Sequence, residues 1–302
     1  MISIGITGAS GMLGSALLSH LSKKYKLSAT SRSKSINNPN IIWSCFDITN
    51  IALLEKWLKE TKPDLLIHCA AIVNVEYCEK NENVAMALHV KVTQVIVNFL
   101  NFNKSRLIYI STDSVFDGEK KSVYNESDIV SPLNIYSKTK LMGEESVQLF
   151  KNNLILRTNI VGWTKKGNNS LFEWILQNLI NKKQLDLFHD VYFSPISVYH
   201  FSILIEKIIE FPIYGIYHCG SRDKISKFEF GEQISKSFNL TDSTINEISV
   251  NEMQFKAMRP KNMALNIKKI TKALDFQMPS TLDCINIMKQ QYEKNNNLLR
   301  SD

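Results

Sequence analysis

The chain has 302 residues, with 36 Lys+Arg against 29 Asp+Glu and a formal net charge of +7. Its 44% hydrophobic content supplies a sizeable core and excludes wholesale disorder, and 11 Gly with 7 Pro exclude collagenous and low-complexity classes. The basic residues lie scattered in LSKKYK, KSRL, GEKK, TKKG and NKKQ, so the excess reads as a solvated surface favouring anionic small molecules, and no nucleic-acid partner is expected. The five cysteines are odd in number and widely spread, with no C-x-x-C or clustered Cys/His spacing, and the six His are scattered as well, so neither a disulfide framework nor a metal site is expected. The longest apolar stretch, 65–75, falls far short of the roughly 20 residues of a spanning helix. The start MISIGITGAS has no basic segment ahead of a cleavable apolar run. These features predict a cytoplasmic protein with no membrane association.

In chain order, residues 2–7 form an apolar run ending in a Gly-rich turn, followed by helical periodicity over 12–24. Strands are predicted at 27–30 and 43–46, a helix at 51–61, and a strand at 65–69 entered through Pro63-Asp64. A long helical segment over 81–102, a strand at 107–111, a helix at 134–151 and a strand at 154–158 complete the rhythm. Such alternation predicts right-handed βαβ units and a Rossmann-type, doubly wound parallel sheet, an α/β fold. Beyond 158 the pattern loosens: a helix near 171–181, a polar stretch, residues 193–198, a helix to about 209, and a strand at 215–218. The remainder is mostly helical, with irregular stretches at 239–250 and 258–262.

Ligands of such sheets sit beyond the carboxyl ends of the strands, and the informative residues fall there. Gly8, Gly11 and Gly14 in TGASGMLG follow the first strand and open a helix. Gly8 serves the tight turn, Gly11 the approach of backbone to a pyrophosphate, and Gly14 close helix packing, with helix N–H groups of Ser10 to Leu13 facing the phosphates. At the end of the second strand, where an acid would favour NAD, stand Thr30-Ser31-Arg32-Ser33-Lys34. Arg32 with Ser31 or Ser33 suits a 2′-phosphate, so NADPH is the expected cofactor and NADH the alternative. Asp47, beside Ile48, is placed to accept from an adenine amino group; a helix N-cap by Asp47 or Thr49 is the competing reading.

Tyr136 and Lys140 stand four apart on a predicted helix and share a face, while Lys138 points away. An ammonium beside a phenol lowers the phenol's pKa and makes Tyr136 a usable general acid and base. At the end of the fifth strand, Ser111-Thr112-Asp113-Ser114 offers a hydroxyl to the oxygen that Tyr136 would protonate.

The stretches GITGASGMLG, HCAA at 68–71, STDSVFDG at 111–118, SPLNIYSKTKLMGE at 131–144, LRTNIVG at 156–162 and RPKN at 259–262 run in family order over nearly the whole chain. In them the sequence resembles the extended short-chain dehydrogenase/reductase superfamily, and within it the dTDP-4-dehydrorhamnose reductase family. The resemblance implies Thr112, Tyr136 and Lys140 as catalytic residues. It implies that Cys69, Ala70 and Ala71 pass along the dinucleotide, and that Asp113, Ser114, Ile160 and Arg259 face the sugar nucleotide. It further implies a dinucleotide domain over 1–160, joined again by 190–222, a sugar-nucleotide lobe over most of 161–302, and the homodimer common among such folds. The implied reaction is hydride transfer to C4 of a nucleotide-activated 4-keto-6-deoxy sugar, in deoxysugar and polysaccharide biosynthesis. Three positions depart from the family pattern: Ser114, Ile160 and Gly162 stand where aromatic residues are typical. A sugar-nucleotide dehydratase would want Glu at 114, and a fucose-synthase-type epimerase Cys at 113. A non-catalytic alternative is the NADP-binding regulatory subunit of methionine adenosyltransferase.

Overall fold

A computed structural model describes residues 2–33, 38–164, 170–242 and 244–298. Seven parallel strands form one sheet: β1 (Ile4–Thr7), β2 (Leu27–Ser31), β3 (Ile41–Cys45), β4 (Leu65–His68), β5 (Arg106–Ile110), β6 (Leu154–Thr158) and β7 (Gly215–Cys219). Their spatial order is β3-β2-β1-β4-β5-β6-β7, so the chain reverses direction across the sheet between β1 and β4. That switch point, flanked by the registers Thr7↔Thr30 and Thr7↔His68, opens a crevice for a ligand. The sheet class predicted from the sequence is the one observed.

Side chains alternate along each strand and supply two cores. Ile4, Ile6, Leu65, Ile67, Ile108 and Leu156 face one side, against α1 (Met12–Leu21) and the later helix Val198–Glu210. Leu66, Leu107, Tyr109 and Ile155 face the other side, against α2 (Ile51–Thr61), the helical segment Glu82–Phe102 and helix Ile135–Gln148. Strands buried on both faces are what an unbroken apolar run such as LLIH encodes. The segment Glu82–Phe102 is long and apolar enough to cross a membrane, against the expectation from the longest apolar stretch. Here Val92, Ile96, Val97 and Leu100 are core residues packed against the sheet.

The predicted helix over 81–102 differs in detail. A first helix, α3 (Val75–Lys80), ends at Asn81, and α4 (Glu82–Phe102) carries a π-helical turn at Ala87–Lys91. The helix α5 (Ile135–Gln148) follows, capped by the Asn134 side chain on Ser137 N. Asn50 caps α2, which removes the reading of Asp47 or Thr49 as its N-cap.

Residues after β6 build the smaller part of the molecule. Its core joins Phe172, Ile175, Phe193, Phe230, Ile234, Ile285 and Met288, drawn from α6 (Leu171–Ile180), α8 (Lys227–Ser237), α10 (Thr281–Leu298) and short strands. Between α6 and α8 runs α7 (Val198–Glu210), which packs on the sheet with β7, as does α9 (Lys268–Leu274) through Ile270 and Leu274. Two strands sit where irregular chain was expected: Leu185–Phe188 pairs in parallel with Ile245–Ile248. Four-residue strands paired on one side leave too short an alternation to read from sequence.

Candidate active site

At the switch point the chain is built for close approach. Gly8 has φ +63°, and a Cβ there would stand 2.6 Å from the Ala70 nitrogen, so β1 and the Cys69–Ala71 segment could not meet around a larger residue. A Cβ on Gly14 would run into the Gly8 carbonyl, which seats α1 on the loop. Gly11 is the N-cap of α1, with no side-chain cap and no acid in the first turn. The uncapped N–H groups of Met12, Leu13 and Gly14 therefore face the crevice with the positive end of the helix. This cradle fits a dinucleotide's diphosphate. Ser10 and Met12 are partly buried and Leu13 is buried beside it.

One strand further out, Ser31, Arg32, Asp47 and Ile48 come together at the carboxyl ends of β2 and β3, where Phe46 N donates to Ser31 O at 3.1 Å. Ser31 Oγ donates to Ser33 O, Arg32 is exposed, and Ile48 is buried. Lys34, named with this stretch, lies outside the described residues. Asp47 Oδ1 accepts from Thr49 N at 2.9 Å and Thr49 Oγ1 at 2.7 Å. These bonds, with the Arg32 charge, hold its carboxyl below the usual range. Its other oxygen has no hydrogen bond among the described residues.

The three predicted catalytic residues meet beyond β5. Thr112 is buried and accepts from Ser114 N at 3.1 Å. Lys140, 3% exposed, donates to Ile110 O at 2.7 Å and lies 4.0 Å above the Tyr109 ring. Burial lowers its pKa to about 7, against the pull of Glu144. Tyr136 is partly buried; burial pushes its phenol up to about 12, opposed by a hydrogen bond with Thr112. The expected lowering of that phenol by Lys140 is therefore corrected: the ammonium is spent on Ile110 and the Tyr109 face. A phenol that keeps its proton is suited to giving it to a developing alkoxide. Beneath the site, Glu144 accepts from Ser111 Oγ at 2.5 Å and from Arg157 Nη2 at 2.7 Å, and both charged groups are buried.

Asp113 is 1% exposed and accepts from Asn159 Nδ2 at 2.7 Å, Thr112 Oγ1 at 3.2 Å and Ser114 Oγ at 3.2 Å. Opposite it stands Lys227, which the sequence reading missed. Its ammonium lies 3.1 Å over the Phe193 ring, and burial lowers its pKa to about 7 while the Asp113 charge pulls it back up. Among the described residues that ammonium has neither an ion pair nor a hydrogen bond. The signal was present in I-S-K-F-E: Ser226 and Glu229 form a capping box, which fixes Lys227 as the first residue of α8.

Two substrate-facing expectations are placed differently. Arg259 is tied to Glu76 of α3 at 3.2 Å and stacks 5.0 Å from Phe255, so its guanidinium is already engaged. Ile160 pairs with Ile196 and packs on the sheet-side core. At Gly162 a Cβ would stand 2.5 Å from Val198 Cγ1, so an aromatic ring has no room there. Among the described residues no three His, Cys, Asp or Glu gather as a metal site.

Comparison with known proteins matches this geometry. The family model described as the RmlD substrate binding domain covers residues 2–293. A dTDP-4-dehydrorhamnose reductase of Aggregatibacter actinomycetemcomitans is 31% identical over 90% of this chain and 93% of its own length. A methionine adenosyltransferase 2 subunit beta of Xenopus laevis is 30% identical over 88% and 81%. The crystal structure of a dTDP-4-dehydrorhamnose reductase of Bacillus anthracis in complex with NADP superposes with a TM-score of 0.84, at 26% identity, over 96% of this chain and 99% of that one. The chain belongs to the RmlD substrate-binding-domain family.

Proposed function

We propose that this chain reduces a nucleotide-activated 4-keto-6-deoxy sugar with NADPH, NADH being the second choice. The observation that carries the reading is the set of buried Thr112 and Lys140 with partly buried Tyr136, assembled beside a glycine cradle and an uncapped helix N-terminus. The complete Thr112, Tyr136 and Lys140 set argues for retained chemistry over the regulatory reading.

Gly8, Ser10, Gly11, Met12, Leu13 and Gly14 would hold the diphosphate, Ser31 and Arg32 the 2′-phosphate, and Asp47 with Ile48 the adenine. Cys69, Ala70 and Ala71 would line the path to the nicotinamide end, where Lys140 takes the ribose hydroxyls. The reduced dinucleotide supplies a hydride equivalent to the carbonyl carbon. Tyr136 gives its phenolic proton to the C4 oxygen, so the C=O becomes CH–OH. Thr112 Oγ1 holds that oxygen in line during the transfer. Asp113 and Ser114 face the sugar, and Lys227 offers a cation to the substrate's acceptor groups. Ile160 and Arg259 act at one remove, as packing and as a tie between the 253–259 segment and α3.

The test is oxidation of NADPH by purified protein with dTDP-4-keto-6-deoxy-L-mannose. Tyr136→Phe should lower kcat by about 10³-fold while leaving NADPH binding intact, within the range general acids contribute. Turnover that survives in Tyr136→Phe would remove Tyr136 as the acid. Tight NADPH binding without turnover on any keto-sugar nucleotide would favour the regulatory reading.

A further inference from the structure

His89 lies in the π-helical turn Ala87–Lys91 of α4, is 1% exposed, and has no part in the chemistry above. A π-turn adds a residue to the helix and re-aims its side chains, and such turns concentrate at functional sites. Both ring nitrogens are used. Ile72 N approaches Nε2 at 3.0 Å, and a backbone N–H can only donate, so Nε2 carries the lone pair. The proton of the neutral ring is then on Nδ1, which donates to Thr139 Oγ1 at 2.8 Å. Thr139 Oγ1 donates in turn to the carbonyl of Ile135 at 2.9 Å or of Tyr136 at 3.0 Å. The chain of bonds thus starts in the segment after Cys69-Ala70-Ala71 and ends on the first turn of α5, at the carbonyl of Ile135 or of Tyr136 itself.

Two more contacts fix the same point. The His89 ring meets the Tyr136 ring edge-on, with centroids 5.8 Å apart at 82°. A Cβ on Gly143 would stand 2.8 Å from the His89 carbonyl, so α5 lies against this turn as closely as backbone allows. We infer that His89 is a positioning residue, whose bridge from Ile72 N–H to the Thr139 hydroxyl locks the dinucleotide-lining segment against the helix that carries Tyr136. The inference rests on the reductase reading. Burial keeps the ring neutral, with its pKa lowered to about 3, so the bridge holds its direction at working pH.

The holo-protein tests this by steady-state turnover per NADPH-binding site, with and without deuterium at C4 of the NADPH. His89→Leu should cut kcat by about 30- to 100-fold, the scale of a misplacement near 1 Å, and should raise the primary isotope effect as chemistry becomes limiting. His89→Gln, which offers a carbonyl to Ile72 and an amide N–H to Thr139, should regain most of that loss. Thr139→Val leaves the ring in place, keeps the test open if His89→Leu does not fold, and should lower kcat in the same direction. Combined with His89→Leu it should add little, because both break one bridge. His89→Leu or Thr139→Val that changes only the Tm, with kcat and isotope effect within twofold, overturns the inference and leaves the reductase reading standing. Wild-type protein that binds NADPH but reduces no keto-sugar nucleotide takes down both.

Discussion

The two walls of the site are built on different electrostatic terms. On the sheet side Glu144 takes Arg157 and the Ser111 hydroxyl, and Lys140 donates to Ile110 while resting on Tyr109. On the opposite wall Lys227 has a ring face and the field of Asp113, with no hydrogen-bond acceptor among the described residues. Groups satisfied inside the protein stay in place whether or not a ligand is bound. A half-buried cation with no protein acceptor gains from a ligand that brings one. We propose that the first wall sets the geometry of reaction and the second the choice of substrate.

The largest effect comes from breaking the first wall. Glu144→Gln leaves Arg157 charged, buried and without its carboxylate, and losing one partner of a buried pair costs about 3–5 kcal/mol. Urea unfolding should show a midpoint lowered to that extent with an unchanged slope. Replacing both partners by apolar residues of similar volume should cost far less. A Glu144→Gln variant within about 1 kcal/mol of wild type would mean that Ser111 and its surroundings, rather than the pair, hold the base of the site together.

Lys227→Met breaks the second wall with a smaller effect. Methionine keeps an unbranched stem against Phe193 and removes the charge. KM for the keto-sugar nucleotide should rise about tenfold, kcat should stay within about threefold and NADPH affinity should not move, since a hydrogen bond to a charged group is worth roughly 1.5–3 kcal/mol. An unchanged KM would return Lys227 to a packing role, and a fall in kcat alone would put it among the groups that act on the reacting carbonyl.

The same division decides what could be read in advance. Strand, glycine turn and helix follow from local pattern, so the sheet, the Gly8–Gly14 loop and the shared face of Tyr136 and Lys140 were legible. The phenol's electrostatics were not, because Lys140's preference for the Ile110 carbonyl is a tertiary fact that the four-residue spacing does not contain. Gly162 read as a lost aromatic contact, whereas Val198, 36 positions on, fills the space where a side chain would go. Arg259 was expected to face the sugar nucleotide, and its tie to Glu76, distant in sequence, could not be read in advance. His89 gave no signal at all: its meaning depends on a π-turn and on two partners at 72 and 139. Lys227 alone had a local clue, the capping box around it.

The smallest expected effect separates the two lysines through pH. Lys140 and Lys227 both have pKa values lowered from 10.5 to about 7, each by burial. Between pH 7 and 10.5 the unfolded chain therefore binds more protons than the folded one, and stability rises with pH. Cys69, Cys78 and Cys284 oppose this above pH 9, since burial raises their thiols to about 12, 11 and 11 and only the unfolded chain ionises there. The buried His68, His89 and His218, lowered to about 3 from 6.5, add to the rise until the unfolded imidazoles are neutral, about one pH unit above 6.5. From about pH 7.5 to 9 the rise belongs to the lysines, and in that window the Tm of the ligand-free protein should climb. Lys227→Met should remove part of that climb and Lys140→Met the other part. Saturating sugar nucleotide should flatten only the share due to Lys227, because a bound acceptor restores its ammonium while Lys140 keeps its internal partners. A ligand that flattened neither share, or both equally, would erase the distinction between the walls.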